Sequence, residues 1–83
     1  MIVSKTEIVD FLGRTTGWTD AQRGILLALA GRVDPVPMAV LADDVFPNRT
    51  DSLVGTQVHR LRAALEDTPY HIERLTGYRL VRK

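Results

Sequence analysis

The sequence predicts a mainly α-helical domain that ends in a small β-hairpin. Three observations lead to this fold class. Apolar residues recur at helical spacing in four segments between residues 4 and 66. After residue 69 the pattern changes to alternation with a period of two, on both sides of a Thr-Gly pair that is typical of a turn. Capping residues, glycines and prolines separate the segments from one another.

The first two segments each begin with a hydroxyl residue that can cap a helix. Ser4 is followed by Glu7 and Thr19 by Gln22, and both spacings fit a capping box. We expect the first helix to bury Ile8, Phe11 and Leu12 and to end near Gly13. We expect the second to bury Ala21, Ile25, Leu26, Ala28 and Leu29 and to end at Gly31. Trp18 is expected to pack on Gln22 and Arg23 or on the first helix.

The third and fourth segments are predicted to form two further helices. Pro37 suits the first turn of a third helix, which Phe46-Pro47 should stop. In the fourth, capped by Asp51 or Ser52, four apolar residues spaced by four, three and four positions define a helix and its buried side. They are Val54, Val58, Leu61 and Leu65. The other side is small, polar and cationic.

Two short strands, residues 71–75 and 78–82, follow around Thr76-Gly77. A segment at residues 32–34 is a candidate for a third strand. Helices joined by a short turn and followed by an arginine-bearing hairpin describe a winged helix-turn-helix. We expect one domain over residues 1–83, with an N-terminal helical extension at 1–17 and a winged-helix core at 18–83.

The composition excludes several classes of protein. The 83 residues contain no cysteine, which excludes disulfides and cysteine-based zinc sites and favours a reducing, cytoplasmic location. The longest apolar run, residues 25–30, is far too short for a membrane span, and the first residues do not form a signal peptide.

Charge is distributed unevenly along the chain. The net charge is only +1, but residues 1–56 carry five basic and seven acidic side chains, whereas residues 57–83 carry six and three. Both histidines lie in the second part. A basic C-terminal part that follows an acidic N-terminal part suits phosphate binding. The alternative interpretation is a solvated surface on which both charges are mixed.

Three stretches resemble one family of DNA-binding domains. Residues 58–67, VHRLRAALED, resemble the recognition-helix signature of the OmpR/PhoB-type winged-helix domain. Residues 77–81, GYRLV, resemble its closing wing strand, and residues 36–46, VPMAVLADDVF, its positioning helix. The style is nearest to the actinobacterial antibiotic-regulator branch, and the resemblance covers residues 18–82. The chain departs from the family in having a helix in place of the N-terminal sheet, a wing about two residues shorter and no receiver domain.

The resemblance implies a sequence-specific duplex-DNA-binding protein, a small transcriptional regulator of bacterial or phage origin. It implies DNA contacts on the exposed face of the fourth helix, at Ser52, Gly55, Thr56, Gln57, His59, Arg60 and Arg62. Arginine and glutamine side chains at such positions can pair with guanine and adenine edges. On the wing, Arg74, Thr76 and Arg79 suit phosphate contact, although one arginine could instead pair with Glu73 or Glu66.

The sequence also bears on metal binding, catalysis and protein docking as functions. His59 and His71 lie 12 residues apart without a third ligand in a plausible pattern, and no nucleophile elbow, phosphate loop or paired-carboxylate motif occurs. We therefore expect no metal, no cofactor and no enzymatic activity. The alternatives are a winged helix that docks on RNA polymerase or another host protein without binding DNA, favoured by the apolar residues 38–40, and an architectural or excision factor. A homodimer is compatible with each of them.

Overall fold

The computed structural model describes residues 3–45 and 51–83, with the backbone alone at residues 51–53. In these described residues four helices precede an antiparallel hairpin, so the predicted mainly helical fold with a small hairpin is observed. The elements are α1 (Lys5–Arg14), α2 (Asp20–Leu29), α3 (Met38–Val45), α4 (Asp51–Ala64), β1 (Tyr70–Arg74) and β2 (Tyr78–Arg82). Phe46 and Pro47, predicted to stop the third helix, lie outside the described residues.

Helix α1 begins where the sequence predicts but ends later. Ser4 is the N-cap, and its Oγ accepts a hydrogen bond from the Glu7 backbone N–H at 3.1 Å. The helix passes Gly13 and ends at Arg14, where Thr15 is the C-cap and its hydroxyl donates to the carbonyl of Phe11 at 2.8 Å. The glycine therefore did not stop the helix, because a side chain beyond it satisfies one of the last carbonyls.

Helix α2 has the predicted signals at both ends. Thr19 and Gln22 form the complete capping box, with reciprocal hydrogen bonds of 3.1 and 3.0 Å. Gly31 follows the helix with a φ of +76°, a conformation that favours glycine. Its N–H donates to the carbonyl of Val3 at 2.6 Å, so the residues before α1 are held against the end of α2.

A single hydrophobic cluster joins the helices to the hairpin. Helix α2 packs against α1, α3, α4 and β2, and β1 packs against α4. The predicted stripes are confirmed for Ile8 and Phe11 of α1 and for Ile25, Leu26 and Leu29 of α2, which are buried. The other predicted members, Leu12, Ala21 and Ala28, are half-buried. Every helix thus contributes to one core, and the hairpin closes it.

The hairpin pairs in a register that differs slightly from the prediction. Tyr70 pairs with Arg82 and Arg74 with Tyr78, which leaves residues 75–77 as the connection and starts β1 one residue early. Ile72 and Leu80 face each other and are fully buried. The third-strand candidate at residues 32–34 was misplaced, because the isolated bridge forms between Val36 and Tyr78.

Helix α1 is attached to the base of the hairpin through one carboxylate. Glu7 Oε2 accepts a hydrogen bond of 2.8 Å from the hydroxyl of Tyr70, and its Oε1 forms an ion pair with Arg82. The hydrogen bonds from Arg82 and then Tyr70 lower the pKa of Glu7, whereas burial and the nearby carboxylate raise the pKa of Tyr70. The predicted capping role of the Glu7 side chain is thus replaced by a tertiary contact.

Aromatic rings reinforce the same junction. Phe11 of α1 packs edge-on against Tyr70 with ring centroids 4.9 Å apart. Trp18 lies on the other side of Phe11 at 5.6 Å, and its Nε1 donates to the Thr15 hydroxyl at 2.6 Å. Of the two predicted positions for Trp18, the structure has the one against the first helix.

Candidate nucleic-acid interface

The buried side of α4 determines which of its side chains face solvent. Val54, Val58, Leu61 and Leu65 are at most 2% exposed, as their spacing predicts. With one face so completely buried, the opposite face is fixed by helical geometry rather than by side-chain freedom.

Between residues 54 and 64, the exposed face of α4 carries no negative charge. Thr56, Arg60 and Ala63, spaced by four and three positions, lie opposite the buried stripe and are exposed. His59 and Arg62 flank them and are exposed as well. The sequence has no acidic residue from 52 to 64. This surface offers hydrogen-bond donors and positive charge without a carboxylate to repel a phosphate.

Two predicted contact residues lie at the edges of this face. Gln57 is half-buried, and Gly55 is half-buried on the side towards α3. A Cβ placed on Gly55 would lie 3.9 Å from the Met38 methyl group, so this glycine faces the first turn of α3. The side chain of Ser52, another predicted contact, lies outside the described residues.

The tip of the hairpin presents a second basic element. Arg74 and Thr76 are exposed, and Leu75 between them is 54% exposed. The Leu75 N–H donates to the carbonyl of Gly77 at 2.8 Å, which closes the turn. Arg74 forms no ion pair with any residue in the described ranges, so its guanidinium is available to a ligand.

Arg79, unlike Arg74, forms an ion pair. It stands directly opposite Glu73 in the ladder, and its Nη2 lies 3.0 Å from Glu73 Oε2. Both side chains are about one-third exposed, at 31% and 34%. The sequence left open whether one wing arginine pairs with Glu73, and Arg79 is that residue. Of the two arginines that flank the turn, Arg74 is therefore the one without an ion pair in the described part of the chain.

A groove runs between the end of α4 and the start of β1. Its volume is about 520 Å³, and its polar lining includes His59, Arg62, Glu66, Tyr70, His71 and Lys83. Lys83 Nζ donates to the carbonyls of Leu65 and Glu66 at 3.1 and 2.6 Å, where a cation suits the negative end of the helix.

The sequence did not single out His71 or Lys83 as site residues. The presence of both histidines in the basic end was the available signal, but only the packing of β1 against α4 brings His71 beside that helix. In the described ranges, no three His, Cys, Asp or Glu side chains cluster closely enough to hold a metal ion.

Comparison with protein-family models, with curated proteins and with solved structures finds no match. What the site can bind is therefore inferred from its geometry alone.

None of the helices in residues 3–45 and 51–83 combines the length and apolar character needed to cross a bilayer.

Proposed function

We propose that this protein binds duplex DNA as a winged helix-turn-helix and acts as a small, sequence-specific transcriptional regulator. In this proposal α3 and α4 are the helix-turn-helix pair and the β1–β2 hairpin is the wing. The observation that carries it is the exposed face of α4, which presents Thr56, His59 and Arg60, has no carboxylate among residues 54–64 and lies opposite a fully buried stripe.

The exposed face of α4 suits the major groove. That groove admits one α-helix, and its base edges present acceptors that arginine and amide side chains can read. Arg60 lies at the centre of the face and can pair with guanine, whereas Thr56 offers a hydroxyl and a methyl group. Gln57 reaches the same groove from the edge of the face and can pair with adenine.

The wing suits the phosphate backbone. Arg74 and Thr76 are exposed beside a tight turn, so they can approach a phosphate without displacing another contact. Arg79 would first have to exchange Glu73 for the phosphate. We therefore assign the principal wing contact to Arg74 rather than to Arg79.

The test begins with selection of a preferred duplex from a random-sequence pool. Gln57→Ala should then weaken binding to that duplex by about 1–3 kcal/mol and change binding to random DNA little, because it removes a base contact. Arg74→Ala should weaken both and lower the slope of log affinity against log salt by about one unit.

The matched control is Arg23→Ala, which removes the same charge from an exposed position on α2. We expect this variant to bind both duplexes like the parent. If the parent binds no DNA at low salt, the proposal fails. If Arg23→Ala reduces binding as much as Arg74→Ala, the affinity reflects overall charge and not a wing contact.

A second candidate function is docking on RNA polymerase or another protein. It is favoured by an exposed apolar surface between α2 and α3, where Val33 is 64% and Val40 42% exposed. These valines line a hollow of about 330 Å³ together with Pro35 and Pro37. Val40→Asp should abolish such docking and leave DNA binding unchanged, which a paired DNA and polymerase binding assay would measure.

A further inference from the structure

The groove between α4 and β1 collects most of the ionisable groups near the proposed interface. From α4 and the residue pair that follows it come His59, Arg62 and Glu66, from β1 come Tyr70 and His71, and Lys83 closes one end. Four of these groups are cationic or become cationic on protonation, and one is a carboxylate. The lining therefore favours an anion, and more strongly so when the histidines are protonated.

Two of these groups are already engaged. The Tyr70 hydroxyl donates to Glu7 on the side of α1, at 2.8 Å. The Lys83 ammonium donates to two carbonyls at the end of α4, at 3.1 and 2.6 Å. The donors that remain for a ligand are Arg62 and the two histidines, which form no ion pair with any residue in the described part of the chain.

We propose that this groove binds a backbone phosphate of the DNA duplex, with Arg62, His59 and His71 as donors. The inference rests on the proposed function, because His59 and Arg62 belong to the exposed side of α4 that would face the duplex. A duplex seated on α4 brings one strand over the groove. A protonated histidine donates from both ring nitrogens and forms a charge-assisted hydrogen bond with a phosphate.

Because the groove contains histidines, this contact can be measured through the pH dependence of DNA affinity. The chain contains two histidines, and both line this groove. Carboxylate, tyrosine, lysine and arginine side chains ordinarily keep one charge state between about pH 6 and 8, and histidine does not. A histidine-linked change in DNA affinity over that range therefore arises at His59 or His71, and only His71 lies away from the exposed face of α4.

The experiment measures binding to a random duplex, since a phosphate contact does not depend on sequence. At constant ionic strength, in buffer without phosphate or sulfate, we expect the parent to bind about tenfold more tightly at pH 6 than at pH 8. Relative to its own affinity at pH 8, His71→Gln should lose a large part of the tightening at pH 6. His59→Gln/His71→Gln should lose all of it.

His71 is the deciding position because it lies on β1 and not on the face of α4 that would contact bases. If His71→Gln tightens at pH 6 as much as the parent does, the groove is not the phosphate site. A parent that binds DNA equally at both pH values also overturns the inference while the proposed function stands. A parent that binds no DNA at either pH overturns the proposed function, and this inference with it. Thermal melting of each variant at both pH values verifies that the fold is retained.

Discussion

Gly77 fixes the tip of the hairpin against the segment before α3, and substitution to alanine tests that packing. A Cβ at this position would lie 2.3 Å from the carbonyl oxygen of Val36, 2.6 Å from its carbonyl carbon and 2.9 Å from the nitrogen of Pro37. All three atoms are backbone atoms, so no side chain can rotate away. The requirement for glycine here is one of space.

The loss of folding stability in Gly77→Ala follows from the contacts that the added Cβ would break. A carbon–oxygen contact normally needs about 3.3 Å or more, so the two segments must separate by about 1 Å. That shift breaks the two hydrogen bonds between Val36 and Tyr78, whose lengths are 2.8 and 2.9 Å. Each contributes about 0.5–1.5 kcal/mol net, and overpacking adds about 1–3 kcal/mol. Gly77→Ala should therefore destabilise the protein by about 2–6 kcal/mol.

Gly13 provides a matched control for the same chemical change. It is the last but one residue of α1, and apart from its chain neighbours and the helix's own backbone no described atom lies within 4 Å of an added Cβ. Because alanine is the better helix former, Gly13→Ala should stabilise the protein by about 0.5–1 kcal/mol. Urea unfolding followed by far-ultraviolet circular dichroism and by Trp18 fluorescence gives both free energies, and coincident transitions would support two-state unfolding.

The opposite signs of the two substitutions make the reasoning easy to refute. If Gly77→Ala costs less than about 0.5 kcal/mol, the close approach of the hairpin tip to Val36 is wrong. If both substitutions destabilise the protein equally, the effect belongs to glycine in general and not to this contact.

Three further predictions concern the core and α1. Leu61→Ala should cost about 2–5 kcal/mol in urea unfolding, since Leu61 is fully buried; a loss below about 0.5 kcal/mol would mean that α4 faces the other way. Glu7 has a lowered pKa because Arg82 and Tyr70 donate to it, so its stabilisation is full above its ordinary value of 4.5 and is lost as the pH falls through the lowered value. Glu7→Gln should therefore flatten the acid side of a plot of melting temperature against pH, and an unchanged profile would contradict the contact. Deletion of residues 1–16 should lower the melting temperature because it removes buried side chains from the core, and unchanged melting and solution mass would refute this.

Local sequence signals predicted the helices well because their causes are local. A capping residue such as Thr19, a glycine with positive φ such as Gly31 and the apolar stripe around Leu61 act within a few residues of themselves. The errors occurred where a distant residue decides the outcome. Glu7 bonds to Tyr70 and not to its own helix end, as a charged hydrogen bond to another element competes with the local one.

In the candidate interface, too, some residues could be predicted from local sequence and others depend on distant contacts. The exposed face of α4 follows from the spacing of its buried residues, so Thr56 and Arg60 could be assigned from the sequence. The states of the wing arginines could not, because the cross-strand register decides that Arg79 meets Glu73 and Arg74 does not. The position of His71 beside α4 required the tertiary structure as well, because it depends on how β1 packs against α4.

The contacts at both ends of the hairpin bear on how the proposed interface would bind. Its base is held to α1 by the Glu7–Arg82 ion pair and to α4 by Lys83, and its tip is held to Val36 by two backbone hydrogen bonds. The distance between the wing and the exposed face of α4 is thus set in the free protein. A duplex that fits this spacing would meet little of the ordering cost that flexible contacts impose. In the proposed interface, affinity for DNA would then depend also on residues that do not touch DNA, because they fix where Arg60 and Arg74 lie.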